Sequence, residues 1–228
     1  MKSGEVKLFV GILVVAVILV AIAVYPVIAN GRRGDGASPP GTVTYDRKTL
    51  LPEGVPVRGP RDAPYLLVEV GDYQCPQCKL ADTAVAKLVG EYPKKLEAAF
   101  IHMQATQTHT NARVLARAAA AAQLQGKFWP MHAAIYSKQA EFAGATSTAV
   151  TDAIMKIAAG LKLDMLKFRN DMQSKAAEET VERQETLAQK LGVFGTPTFF
   201  LVRPGAETMR FSNLGQMTAY MEDPANLK

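Results

Sequence analysis

The chain has 228 residues, with 26 Lys and Arg against 21 Asp and Glu for a net charge of +5, and 48% hydrophobic residues. Charges of both signs are interspersed, no run of five Lys or Arg occurs, and aromatics make up only 7%. That balance argues against nucleic acid as a partner.

In chain order, Leu8 to Ala29 comes first, 22 residues without a charge. At about 1.5 Å per residue such a helix is long enough for the ~30 Å hydrocarbon layer, which predicts an N-terminal transmembrane helix at residues 1–30. Lys2 and Lys7 precede it and Arg32 and Arg33 follow, a weak asymmetry of flanking charge. A cleavable signal peptide is the alternative, since Ala21-Ile22-Ala23 and Val27-Ile28-Ala29 place small residues at cleavage spacing. Both readings put the remainder, roughly 190 residues, on the far side of the membrane. A chain of that size buries a core without needing disulfides.

Residues 31–60 read as a tether followed by irregular chain. "NGRRGDGASPPGT", 30–42, is too polar and too broken by Gly and Pro to pack. "TVTYD" and "GVPVRG" are short β-prone pieces suited to a sheet edge. From residue 61 the signals sharpen. "PYLLVEVGDY", Pro64 to Tyr73, predicts a strand buried on both faces. "KLADTAVAKLVGEYP" carries a helical stripe at Leu80, Ala84, Val85, Leu88 and Val89, closed by Gly90 and Pro93. "LEAAFIHMQ", Leu96 to Gln104, predicts a second buried strand, so that the three make a βαβ unit with parallel strands.

From Thr108 to Leu191 the pattern stays helical, with segments closed by Gly126, Gly160 and Gly192 and with Pro130 in a first turn. Some 80 residues of helix exceed a simple crossover and predict an inserted helical subdomain at about 105–191. "TPTFFLV", Thr196 to Val202, then predicts a strand that pairs with "ETMRFSN" across a turn at "RPGA", and "LGQMTAYMED" a closing helix. The fold class is α/β, a small mixed sheet with helices around it and a helical insert.

Cys75 and Cys78 are the only cysteines. The first falls where the strand gives way to the helix, and Pro76 occupies the first turn, where its missing N–H costs nothing. One helical turn separates the two thiols, close enough for a disulfide after a modest adjustment. The helix N-terminus favours a thiolate at Cys75, which makes it the better leaving group, while Cys78 lies deeper as the resolving thiol. Two other readings stand beside redox exchange. A zinc site needs four ligands, and His102, His109 and His132 show no paired spacing, reading instead as strand, loop and helix residues with ordinary partners. A structural disulfide that closes two intervening residues would add little stability.

At this point the chain resembles the thioredoxin superfamily, and within it the DsbA-like branch. "VEVGDYQCPQCK" (Val68 to Lys79) and "LGVFGTPTFFL" (Leu191 to Leu201) carry the resemblance, with "HTNARVLARAAAAAQLQGKFWPMHAAIY" between them similar to that branch's helical insertion. It covers roughly Pro64 to Tyr220 and implies a thioredoxin fold for 61–228. It also implies that Thr196-Pro197 is a cis peptide facing the cysteines and presenting backbone to an extended substrate. Glu69, six residues before Cys75, matches a buried acid that moves protons to and from the resolving thiol, although strand alternation could point it to solvent. Asp72 reads as a turn residue. Between the cysteines stand Pro76 and Gln77, where strongly oxidising members often carry histidine in the second position. Gln77 has no positive charge, so a less oxidising couple is expected, with slight compensation if Lys79 folds back.

The resemblance implies an extracytoplasmic thiol–disulfide oxidoreductase without bound cofactor or metal, membrane-anchored or periplasmic after cleavage. Its partners would be exported proteins with cysteines and a membrane redox partner, either a DsbB-like, quinone-linked reoxidant or a reductant. The oxidase direction is the primary expectation, with reductase or isomerase as the rival. A tethered chaperone module with a structural disulfide is the rival of another class, and it predicts that a double Cys→Ser variant keeps its activity.

Overall fold

The computed structural model describes residues 40–104 and 108–227. The apolar segment at residues 8–29, with both its readings, and the tether through residue 39 lie outside the described residues. Among those described, no helix is long and apolar enough to cross a membrane. The compact unit that contains them runs from Ser38 to Lys228.

Its centre is a six-stranded sheet in the order β1-β6-β5-β3-β4-β2. β3 (Tyr65–Gly71) and β4 (Leu96–His102) are seven-residue strands with every residue buried. They pair in parallel, from Tyr65 opposite Leu96 to Gly71 opposite His102. Helix α2 (Pro76–Glu91) connects them. β5 (Thr198–Arg203) runs antiparallel beside β3, and β6 (Ala206–Phe211) antiparallel beside β5. β1 (Gly41–Val43) borders β6, and β2 (Val57–Arg58) borders β4, both antiparallel. The short β-prone pieces thus close opposite edges of one sheet, and Gly41 and Thr42, read above as tether, already belong to it. Between them lies an unforeseen short helix, α1 (Arg47–Leu50), capped by Asp46. Arg47 pairs with Glu97, which explains how β4 buries a carboxylate.

Strand alternation sorts the sheet's two faces. Tyr65 and Leu67 of β3 pack with Phe199, Leu201 and Phe211 beneath α2 and the closing helix α9 (Leu214–Met221). Leu66, Val68 and Val70 pack on the other face with Ile101, Phe200, Leu191 and Val193. On α2 the buried residues are Cys78, Ala81, Val85 and Leu88. Leu80, placed above on the buried stripe, is 54% exposed. The helix turns Cys78 and Ala81 toward the sheet in its place.

Six helices fill the insertion between β4 and β5: α3 (Ala112–Gln123), α4 (Phe128–Ser137), α5 (Gln139–Phe142), α6 (Ser147–Gly160), α7 (Met165–Gln173) and α8 (Lys175–Lys190). Alanines bury most of α3, so neighbouring helices approach it from several sides. Thr146, Asp164 and Ser174 cap α6, α7 and α8 through their side chains. Gly126 and Gly192 adopt the positive φ of helix ends, but after α6 that conformation falls on Lys162 (φ 58°) rather than on Gly160. The core of the insertion is continuous with Tyr73, Cys75, Cys78 and Phe100. The cysteine pair therefore sits at the seam between sheet and insert.

Candidate active site

The turn from β3 into α2 is built by Asp72. Its Oδ1 accepts the Gln74 N–H at 2.7 Å, and its carbonyl accepts the Cys75 N–H at 3.1 Å. Cys75 becomes the N-cap residue, extended at φ −75° and ψ 118°, with Pro76 at the first helical position. The Cys75 carbonyl accepts the N–H groups of Cys78 (3.1 Å) and Lys79 (3.3 Å). Cys75 is 7% exposed and Cys78 fully buried, both as free thiols, while Pro76 and Gln77 face solvent. The Asp72 N–H donates to Cys78 Sγ at 3.5 Å. Asp72 is thus the turn residue expected, and it is also 1% exposed, with His109 Nδ1 2.8 Å from its Oδ2.

Opposite Cys75 runs the segment before β5. The Thr196–Pro197 peptide is cis, Pro197 is buried, and the Thr196 carbonyl accepts from Cys75 Sγ at 3.4 Å. This segment is held by Thr198 Oγ1, which donates to the Gly195 carbonyl (2.8 Å), and by Arg210 Nη2, which donates to that of Gly192 (2.8 Å).

The acidities of the two thiols are shifted in opposite directions. The Cys78 thiol donates to Cys75, and with the Thr196 side chain and the Cys78 and Gln77 amides it outweighs burial and brings the Cys75 thiol down to about 6. Cys78 moves the other way. Burial raises it first, then its hydrogen bond to Cys75, then the negative charge of Glu69.

Glu69 is 2% exposed, so the possibility that it faces solvent is overturned. Alternation puts it on the α2 side of β3 with Tyr65 and Leu67, and that side is covered. Burial pushes its carboxyl well above the usual range, and the charge of Asp82 adds to this against the pull of Arg58. Its Oε1 has no hydrogen-bond partner. Gly71 leaves the space for it, since a Cβ there would lie 2.6 Å from the Phe100 ring and 3.1 Å from Glu69 Oε1.

Several contributors carry no local signal in the sequence. Arg58, on β2, donates to Asp82 Oδ1 at 3.1 Å and lies 4.4 Å over the Trp129 ring. His132 shares a hydrogen bond with the Tyr73 hydroxyl at Nδ1 (2.9 Å), while its Nε2 lies 3.2 Å from Asp82 Oδ1. Burial alone would raise Asp82, but His132 and then Arg58 hold it below its usual range. From the insertion, Gln139 Nε2 donates to the Tyr73 (2.8 Å) and Cys75 (2.9 Å) carbonyls, and the Asn111 N–H donates to Gln74 Oε1 (2.6 Å). The insertion thus grips the cysteine loop through polar contacts.

His109 and His132 have the partners expected of them. His102 does not: its Nε2 meets no hydrogen-bonding atom, and burial followed by the neighbouring His132 brings its ring down to about 3, a neutral imidazole packed among aromatics. Among the described residues, no three His, Cys, Asp or Glu side chains gather as metal ligands.

Comparison with solved structures gives the same architecture. A thioredoxin-like oxidoreductase from Silicibacter pomeroyi is 28% identical, with a TM-score of 0.60 over 79% of this chain and 98% of that one. BdbD from Bacillus subtilis superposes with a TM-score of 0.63 at 20% identity, over 81% and 97% of the two chains. Among curated sequences, the Na(+)/H(+) antiporter NhaA 3 of Salinispora tropica is 34% identical over 145 residues, 64% of this chain. The chain spans about a fifth of the length of such relatives, 21% in that case. The family described as thioredoxin matches residues 52–207, from the loop before β2 through the cysteine turn and the insertion into β6, and this chain belongs to that family.

Proposed function

We propose that the chain is an extracytoplasmic thiol–disulfide oxidoreductase that exchanges disulfides with exported proteins through Cys75 and Cys78, as a dithiol oxidase. One observation carries this reading. A cysteine at a helix N-terminus, with its thiol brought down to about 6, faces the Thr196 carbonyl and is backed by a second thiol pushed the opposite way.

In the oxidase direction a client thiolate attacks Cys75 Sγ of the oxidised pair, the Cys75–Cys78 bond breaks, and Cys78 leaves with the electron pair. Protonated Glu69 supplies the proton that Cys78 takes up. A second client thiolate then attacks the client sulfur of the mixed disulfide, and Cys75 departs as a stabilised thiolate. The client loses two electrons and the pair gains them. A quinone-linked membrane partner returns the pair to the disulfide, and residues 1–30 keep the domain beside it. Thr196 and Pro197 present backbone to the client segment, and Pro76 and Gln77 tune the couple. The antiport named for the Salinispora relative is not carried over, because this chain spans about a fifth of that protein.

Equilibration of the full chain with glutathione buffers tests the reading. Thiol pKa values of about 7 and 3.5 accompany potentials of about −270 and −120 mV in thioredoxin and DsbA. A value of about −120 to −180 mV places the pair with oxidants and isomerases and supports the oxidase direction. A value at or below about −270 mV assigns the reductase direction, and one below about −300 mV a structural disulfide.

A further inference from the structure

Among the exposed large hydrophobic side chains Phe194 stands out, at 91% exposure. Its backbone is pinned on both sides. Val193 is 1% exposed and donates its N–H to the Ala188 carbonyl (3.0 Å), and the Gly192 carbonyl is held by Arg210. On the other side Thr198 holds the Gly195 carbonyl, and the Thr196 carbonyl meets Cys75 Sγ. A fixed loop therefore keeps an aromatic ring in water, two residues from the peptide that meets the reactive sulfur.

That position restricts what passes the ring. Residues of an extended chain advance about 3.3 Å each, so Phe194 lies within about 7 Å of Thr196 along the backbone. A disulfide to Cys75 holds the client cysteine's Cα about 4.4–6.8 Å from that of Cys75. A client chain that pairs its backbone with the Thr196 segment therefore brings residues on one side of the bonded cysteine past the ring. An apolar client side chain there removes both surfaces from water, and a polar one does not.

We propose that Phe194 is a specificity-determining residue of the exchange site, selecting extended client segments that carry an aliphatic or aromatic side chain within about two residues of the reacting cysteine. The inference rests on the exchange activity proposed above. It fits clients that are not yet folded, whose cysteines and the apolar neighbours destined for the core are still accessible. The ring touches neither sulfur and leaves the electron balance of the exchange unchanged.

The test uses the full chain in its disulfide form, wild type and with Phe194→Ala or Phe194→Leu. Each reacts with a cysteine peptide flanked by leucine, the same peptide flanked by serine, and glutathione. The wild type is expected to favour the leucine peptide. Phe194→Ala should slow that reaction by about three- to tenfold while leaving the serine peptide, glutathione and the reduction potential unchanged. Phe194→Leu should keep most of the preference. Equal rates for the two peptides in the wild type, or an unchanged ratio in Phe194→Ala, overturn the inference. A wild-type chain that exchanges with none of the three, glutathione included, overturns the exchange reading itself and this inference with it.

Discussion

The Cys75 thiol reaches the Thr196 carbonyl across 3.4 Å, a contact between residues 121 apart in the chain. A carbonyl accepts a hydrogen bond from the thiol and offers nothing to the thiolate, so this contact favours the protonated form. What favours the thiolate comes from elsewhere: first the Cys78 thiol, then the Thr196 side chain and the helix-terminal amides. The balance places Cys75 at about 6, between the strongly acidic thiols of potent oxidants and the value near 7 of thioredoxin.

The first prediction follows from that order of causes. Thiolate absorbance of the reduced chain should titrate with a midpoint near pH 6 from Cys75 alone, with Cys78 silent until well above pH 9. Cys78→Ala removes the largest stabilising hydrogen bond and should move the midpoint upward. An unmoved midpoint would shift the credit to the helix terminus and Thr196.

A second prediction concerns Glu69. Its folded pKa is raised above the unfolded value near 4.5, so its neutral form is compatible with folding below that pH. As pH rises past 4.5 the unfolded chain ionises first, and stability falls by about 1.4 kcal/mol per pH unit until Glu69 itself ionises in the fold. Glu69→Gln should flatten that slope and be more stable than wild type at pH 8 in urea titrations. It should also slow release of Cys78 from the disulfide on the order of a hundredfold, since the buried sulfur loses its proton donor. Loss of stability at pH 8, or an unaltered exchange rate, would count against the role given to Glu69.

Much of this site was legible because its parts are local. The apolar runs of β3 and β4 and the strand-to-helix step at Cys75 are each written in a dozen residues. Alternation gave the parity of Glu69 but not its burial, because parity does not say whether a face is covered. Leu80 was misplaced for a related reason. A helical stripe weighted by side-chain size overlooks Cys78 and Ala81, which the helix buries instead. Gln139, Asn111 and Arg58 were missed because each reaches a partner more than 20 residues away, and single long-range polar contacts leave no period.

The grip of the insertion on the cysteine loop gives a third prediction. Gln139→Ala leaves the Tyr73 and Cys75 carbonyls without their side-chain donor. A buried unsatisfied group costs about 1–3 kcal/mol, and the Cys75 carbonyl keeps its helical partners, so a loss of about 2 kcal/mol is expected. For a domain of this size that is a fall in Tm of about 4–8 °C. Calorimetry of the reduced and oxidised forms measures it, and a change below about 1 °C would mean that water replaces the amide without cost.

The last prediction separates Asp82 from Glu69. Asp82 is the charge that, after burial, does most to raise Glu69, and Arg58 opposes it. Asp82→Asn removes the larger of the two raising charges and leaves the pull of Arg58 opposed only by Cys75, so the Glu69 pKa is drawn down. Release of Cys78 needs Glu69 protonated, so its rate declines as pH rises through the Glu69 pKa. In Asp82→Asn that decline should begin at lower pH, with the thiolate titration of Cys75 unmoved, since Asp82 is not among the groups that shift it. Acid quenching and alkylation of the reacting pair across a pH series upward from the ordinary carboxylate range give both curves. If the two declines coincide, Glu69 does not respond to Asp82, and the carboxylates act independently.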